Sequence, residues 1–341
     1  MADGVIATGA GARRPASRGL PGALVRSPLL RVIVRRVLIA VPLLLVISML
    51  SFILVSLIPG DAARAILGTQ ATEDQYLALR HTLGLDLPLY QQYWQWLTHA
   101  VHGDLGSSLF SGQTVTEAIS QRLPVTLSLM FGALLVSLIV GVSLGVFSAV
   151  RGGVLGRLVD ALGLVGFALP AFWVGAMLIV IFAVELRWLP PTGYVNFTDS
   201  PSGWVSSLVL PVLALALHGI TALAKQTREA MLDVLSSEYI RMARANGVRY
   251  RSIVFINALK NASVRVVTIL GIEAVGLLGG TVVVENVFAL PGLGGLAVSS
   301  TAQHDLPIIQ GIVVYFTLLV VAINLIVDIA YTSLNPKVHT S

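Results

Sequence analysis

Residues 37–58 read VLIAVPLLLVISMLSFILVSLI, an uninterrupted uncharged run, and Arg13, Arg14, Arg18, Arg26, Arg31, Arg35 and Arg36 precede it against a single Asp3. An α-helix rises about 1.5 Å per residue, so about 20 apolar residues cross the hydrocarbon core of a bilayer. The run is therefore long enough to span a membrane. It is also longer than the roughly 7–15 residue apolar core of a cleaved signal peptide, and it is read as a retained anchor. Working outward, the same criterion finds residues 124–150, 161–184, 208–224, 266–284 and 311–327. Together these predict six transmembrane helices in an all-α integral membrane protein. Only His218 in the fourth stretch and Glu273 in the fifth break the uncharged, histidine-free pattern.

Composition agrees. Of the 341 residues, 55% are apolar and 11% charged, with a mean hydropathy of +0.85. Soluble domains carry about 25% charged residues, so an ordinary cytosolic domain is excluded, as is a disordered chain. The absence of cysteine excludes a disulfide-stapled secreted module. The net charge of +5 would suggest a nucleic-acid partner in a soluble protein, but here its placement between spans accounts for it and no nucleic acid is expected.

Lys and Arg concentrate before the first span, between the second and third (Arg151, Arg157), and in residues 225–265, which hold Lys225, Arg228, Arg241, Arg244, Arg249, Arg251, Lys260 and Arg265. By the positive-inside rule these segments face the cytoplasm, as do both termini. Residues 59–123, 185–207 and 285–310 face outward. Residues 1–30, rich in Gly, Ala, Arg and Pro without apolar periodicity, read as a disordered basic cytoplasmic tail near anionic lipid. Residues 337–341 read as the cytoplasmic C-terminus.

Two segments outside the spans carry their own structure. In the outer loop, residues 72–75 (Thr-Glu-Asp-Gln) have the form of a capping box, and Pro88 can open a second helix with Tyr90, Tyr93, Trp94 and Leu97 on one stripe. That stripe fits either a docking surface for an external partner or an aromatic belt at the membrane interface. In the inner loop, residues 237–247 (SEYIRMARANG) place Ala243 and Gly247 four apart, which on a helix leaves a face bare enough for close backbone approach, rimmed by Arg241, Arg244, Arg249 and Arg251. Such a helix can seat in a groove on another protein, although a solvated basic linker has the same composition.

No phosphate-binding loop, His-Glu-x-x-His or Gly-x-Ser-x-Gly motif occurs, and His99 and His102 lack a nearby third ligand, so neither catalysis, a metal nor a cofactor is expected in this chain. Inside the spans, Glu273 is costly at that depth and marks either a pathway lining or a structural pairing. His218 reads as a bundle histidine, with a pathway role as the alternative. Asp328, four residues after Asn324, is placed to hydrogen-bond an adjacent helix.

Taken in order, residues 58–61 (IPGD), 83–86 (LGLD), 103–106 (GDLG), 122–124 (RLP), 169–172 (LPAF), 238–247, 284–288 (VENVF), 291–294 (PGLG), 305–307 (DLP) with Gln310 and Gly311, 324–328 (NLIVD) and Asn335-Pro336 resemble the first of the two membrane subunits of bacterial dipeptide and oligopeptide ABC importers. The resemblance covers all but about the first 30 residues. It implies a type I importer permease fold: a first transmembrane helix at 31–58, a folded extracytoplasmic loop at 59–123, and a five-helix core at 124–336 with the cytoplasmic coupling loop 225–265. Glu238, Tyr239, Arg241, Met242, Ala243, Arg244 and Gly247 then take the place of the family's coupling helix, which seats in a cleft on a separate ATPase. The sequence departs from the family pattern at Lys260, at Arg265, where proline is expected, and at Glu273, where glutamine is expected.

The implied partners are a second permease subunit, a paralogue of this chain, two ATPase subunits or a fused pair carrying ATP and Mg, an extracytoplasmic solute-binding protein that delivers a peptide, and the lipid bilayer. Related permeases are associated with dipeptides, longer peptides, glutathione, nickel chelates and some sugars. The competing readings are a proton-coupled secondary transporter using Glu273, which would show internal repeats that are not found, and a scaffold or receptor that transports nothing.

Overall fold

A computed structural model describes residues 28–334 except Pro59, Asp61, Thr69 and Gln70. The expected disordered tail, save its last three residues, and the C-terminal segment 335–341 lie outside the described residues. Within them the regular secondary structure is helical, apart from one isolated bridge between Ser107 and Thr114.

The elements in order are α1 (Pro28–Ser56), α2 (Ala62–Leu67), α3 (Glu73–Thr82), α4 (Leu89–Val101), α5 (Val115–Val136), α6 (Val142–Arg151), α7 (Gly153–Ala168), α8 (Ala171–Leu178), α9 (Pro201–Leu235), α10 (Glu238–Ala245), α11 (Tyr250–Ser252), α12 (Leu259–Val287), α13 (Leu293–Gln303) and α14 (Leu306–Leu334). Wider π-helical turns at Ser137–Gly141, Ile179–Glu185 and Ile253–Ala258 join α5 to α6, extend α8, and join α11 to α12. Five continuous helices are long and apolar enough to cross a membrane, and the bent pair α7 and α8 makes a sixth if counted as one span.

That bend falls at Leu169-Pro170, inside the stretch read as one helix. Proline lacks an N–H and disfavours helical backbone in the residue before it. So α7 ends at Ala168 and α8 restarts with Pro170 as its N-cap, at φ −65° and ψ 138°.

Elsewhere the helices outrun the apolar stretches. α5 begins at Val115, nine residues before the expected start, with the Thr114 hydroxyl accepting from the Glu117 N–H and Pro124 inside the helix. α9 continues through Lys225 and Arg228 to Leu235, and the helix of the fifth span begins at Tyr250. The forty-residue inner loop of the sequence reading thus reduces to short turns around α10. Charged residues end the hydrophobic stretch without ending the helix, because water solvates them where it leaves the bilayer.

α9 is the most enclosed of the spans and forms the axis of the core. Leu210 and Leu215 pack with Leu129 and Met130 of α5, with Leu277 of α12 and with Phe288. Lipid tails are as apolar as leucine, so close approach of small residues, rather than escape from water, must drive such packing. Gly141 and Gly145 supply it. A side chain at Gly145 would lie 2.7 Å from the Ala224 carbonyl oxygen, so the second span rests directly on the α9 backbone.

Three polar links hold the periphery. Asp328 pairs with Arg36 of α1 through both carboxylate oxygens, at 2.5 and 2.8 Å, which bears out the adjacent-helix reading and fixes α1 on α14. The fully buried Glu285 of α12 accepts from the Thr126 hydroxyl (2.7 Å), Gly294 N–H (2.7 Å) and Gly295 N–H (3.1 Å), so it caps α13. Ser108 donates to Asp305 at 2.5 Å, tying the outer segment to the start of α14.

Candidate functional site: a transmembrane cavity and an exposed short helix

Glu273 and His218, singled out separately in the sequence, meet in the structure. His218 projects from α9 and Glu273 from α12, and His218 Nε2 lies 3.7 Å from Glu273 Oε1. Gly219, next along α9, leaves room for the second span on the adjoining side: a Cβ there would lie 2.5 Å from Ser137 Oγ. Glu273 is largely enclosed, at 13% exposure, whereas His218 is half exposed at 49% and has the Phe167 ring edge-on at 4.4 Å.

Both residues line a cavity of about 430 Å³ between α8, α9 and α12. Leu169, Pro170 and Ala171, at the break between α7 and α8, form one wall, and Gly276 and Gly280 keep the α12 wall low. The broken third span thus has a structural consequence: its bend frames this cavity. A carboxyl group beside a half-exposed imidazole offers two neighbouring hydrogen-bonding groups to a polar ligand in an otherwise apolar chamber. Sequence reasoning found both polar residues but not their pairing, since 55 residues separate them and only the α9–α12 packing joins them.

The second candidate feature is α10, at the end of α9 away from Pro201. α10 is anchored by Ile240, which is fully buried, while Tyr239 and Met242 are 49% and 63% exposed and Glu238, Arg241 and Arg244 also face out. The Tyr239 hydroxyl accepts from Asn261 Nδ2 at 3.0 Å, and Arg265 pairs with Asp233 at 2.8 Å, so the two helices flanking α10 are tied near its base. Arg265, standing where the family resemblance implied proline, is thus engaged in an ion pair.

One expectation for this segment changes. Ala243 lies on α10, but the helix ends at Ala245 and Gly247 is not part of it. Gly247 adopts φ +75° with nothing within 4 Å of its missing side chain, and its N–H donates to the Arg244 carbonyl. It is a left-handed helix stop, not one half of a bare helix face.

The outer aromatic stripe also divides. α4 does begin after Pro88, and the Thr72–Gln75 capping box is formed. Tyr93, however, packs on Phe52 of α1 (ring centroids 5.6 Å) and shares a hydrogen bond with Ser48 at 2.9 Å. Trp96, which the sequence reading passed over, stacks beside it at 5.9 Å. Tyr90 and Trp94 remain exposed. The inward stripe is therefore Tyr93, Trp96 and Leu97, one position round from the expected one.

Comparison with known proteins completes the description. The family described as binding-protein-dependent transport system inner membrane component matches residues 141–340, and its N-terminal companion matches residues 29–130. A Brucella suis protein provisionally named as a peptide transport system permease protein is 44% identical over 308 residues, covering 90% of this chain and 98% of that one. The glutathione transport system permease protein of Salmonella typhimurium is 40% identical over 312 residues, covering 91% and 99%. Among solved structures, an inward-facing form of the MetNI methionine ABC transporter superposes with a TM-score of 0.50 at 18% identity, covering 65% of this chain and 96% of that one, a likeness of fold.

Proposed function

Because this chain belongs to the binding-protein-dependent transport system inner-membrane component family, we propose that it forms one half of the membrane pathway of an ATP-driven importer of short peptides. It is a multi-pass membrane subunit and not itself the ATPase. A partner permease, ATPase subunits and an external solute-binding protein complete the machine. Relatives named for peptide and glutathione transport, covered almost end to end, support the substrate class. The partner permease is a paralogue, both termini lie in the cytoplasm, and ATP with Mg binds on the ATPases.

The cavity holding Glu273 and His218 carries the pathway reading. The Glu273 carboxylate meets the ammonium end of the peptide, His218 supplies a neighbouring donor or acceptor, and the apolar walls accept side chains without selecting among them. At the cytoplasmic face, Tyr239, Arg241, Met242 and Arg244 of α10 seat against an ATPase. Its closure moves α10, and the Tyr239–Asn261 and Asp233–Arg265 ties pass the displacement to α12 and α9.

The test is ATP-driven uptake of alanyl-alanine and its N-acetylated form by the reconstituted complex. Wild type favours the free amine, and Glu273→Gln removes that preference while leaving assembly intact. Equal uptake of both peptides by wild type refutes the pathway role of Glu273.

A further inference from the structure

A second cavity, of about 450 Å³, lies at the opposite end of the molecule from α10, between the end of α1, helices α2 to α4 and the turn joining α13 to α14. Its wall is divided. Phe52, Val55, Leu89, Leu109 and Leu306 form an apolar floor, while Arg64, Tyr76, Arg80, Gln92 and His304 supply polar groups.

The cationic groups are gathered around one ring. The Arg64 guanidinium lies 4.6 Å from the centre of the Tyr76 ring and that of Arg80 lies 6.0 Å away, with Arg80 Nη1 donating to the Tyr76 hydroxyl at 3.2 Å. Glu73 reaches Arg64 only at 3.9 Å, with both side chains about two-thirds exposed, so this pair sits at the rim.

Polar satisfaction is poor at this cavity. Six buried side-chain nitrogens or oxygens among the described residues lack a hydrogen-bond partner, and three of them, Arg80 Nε and both ring nitrogens of His304, belong to residues lining it. Buried polar atoms are almost always paired, so such a cluster points to a missing acceptor. His304 is also held in a left-handed conformation (φ +60°) against Gly60, where an added Cβ would lie 3.2 Å from the imidazole. Gly60 itself adopts φ +112°, a backbone conformation that favours glycine, and lies directly against this ring.

We propose that this cavity binds the C-terminal carboxylate of a short peptide. The planar guanidinium of Arg80 matches a carboxylate, and modest rotation of Arg80 and His304 into the cavity gives Arg80 Nε and the N–H of the His304 ring an acceptor. The apolar floor receives the adjoining side chain, which distinguishes the site from one for a bare inorganic anion. Placing the cavity at the outer mouth rests on the importer reading and its orientation. The carboxylate site itself does not.

The experiment uses the full chain alone in lipid nanodiscs and measures binding of alanyl-alanine, its C-terminal amide and its N-acetyl form by calorimetry. In the Glu273→Gln background, where the transmembrane cavity offers the ammonium no carboxylate, the acid and the N-acetyl acid bind alike, and the amide binds about tenfold more weakly, equivalent to about 1.4 kcal/mol. Arg80→Gln and His304→Ala each weaken the acid by a similar factor and leave the weak amide binding unchanged. Binding of acid and amide with equal affinity, no binding of either, or indifference to both substitutions overturns the proposal. N-acetylation separates the two sites: it blocks recognition at Glu273 and spares this cavity.

Discussion

Removal of the Glu285 carboxylate offers the sharpest test of how the start of α13 is held on the core. The side chain is fully buried and accepts three hydrogen bonds, and Thr126, its hydroxyl partner, itself accepts from the Leu293 N–H at 2.9 Å. Glu285→Ala leaves the Gly294 and Gly295 N–H groups and the Thr126 hydroxyl unpaired and opens a void among them. A buried donor deprived of its acceptor costs about 1–3 kcal/mol. Water entering the void recovers part of this, so the net loss is about 3–5 kcal/mol. Thr126→Val removes one donor to Glu285 and strands the Leu293 N–H, for about 2–3 kcal/mol. Glu285→Gln keeps an oxygen for both glycine N–H groups and changes only the partner offered to Thr126, so it costs least. Thermal unfolding of the purified complex, followed by loss of its monodisperse gel-filtration peak, therefore ranks alanine below valine below glutamine. Wild-type stability in the alanine variant, or a glutamine variant as unstable as alanine, refutes the capping account.

Other predictions address packing and coupling. Gly145→Leu drives a side chain into Thr227 and the Ala224 carbonyl; an overpacked core costs about 1–3 kcal/mol or more, and poor membrane accumulation of the variant measures it. Met242→Asp changes an exposed position on α10, so the permease pair still assembles, while copurification of the ATPase falls sharply; unchanged ATPase recovery contradicts the docking face. Arg265→Ala breaks an ion pair whose side chains are more than half exposed, so thermal stability changes by less than about 1 kcal/mol. A reduced ratio of uptake to ATP hydrolysis in that variant is expected from its place beside α10.

The legible and illegible parts of this fold divide along physical lines. Apolar length identified the membrane-spanning segments because the bilayer leaves a backbone few other ways to satisfy its hydrogen bonds. Helix ends were misplaced wherever helices continue beyond the bilayer, as at Val115, Leu235 and Tyr250, since hydropathy registers only the solvent in which a helix lies. The break at Pro170 had a local signal in the proline, but an apolar run on both sides concealed it. Glu273 and His218 stood out through their cost in lipid, yet their pairing depends on the packing of α9 against α12, which no local pattern encodes. Gly247 was read as part of a helix face, and its left-handed backbone beyond α10 makes it a helix stop instead. The cavity around Arg80 and His304 left no sequence signature, because its residues come from segments as far apart as Phe52 and Leu306.

The most direct measurement reconstitutes this chain with its copurifying partners in proteoliposomes and follows uptake of labelled alanyl-alanine under two driving forces. The importer account predicts uptake that requires ATP on the α10 side and binding protein on the other, and that ignores a proton gradient. Uptake driven by a proton gradient without ATP, and abolished by Glu273→Gln, would contradict it.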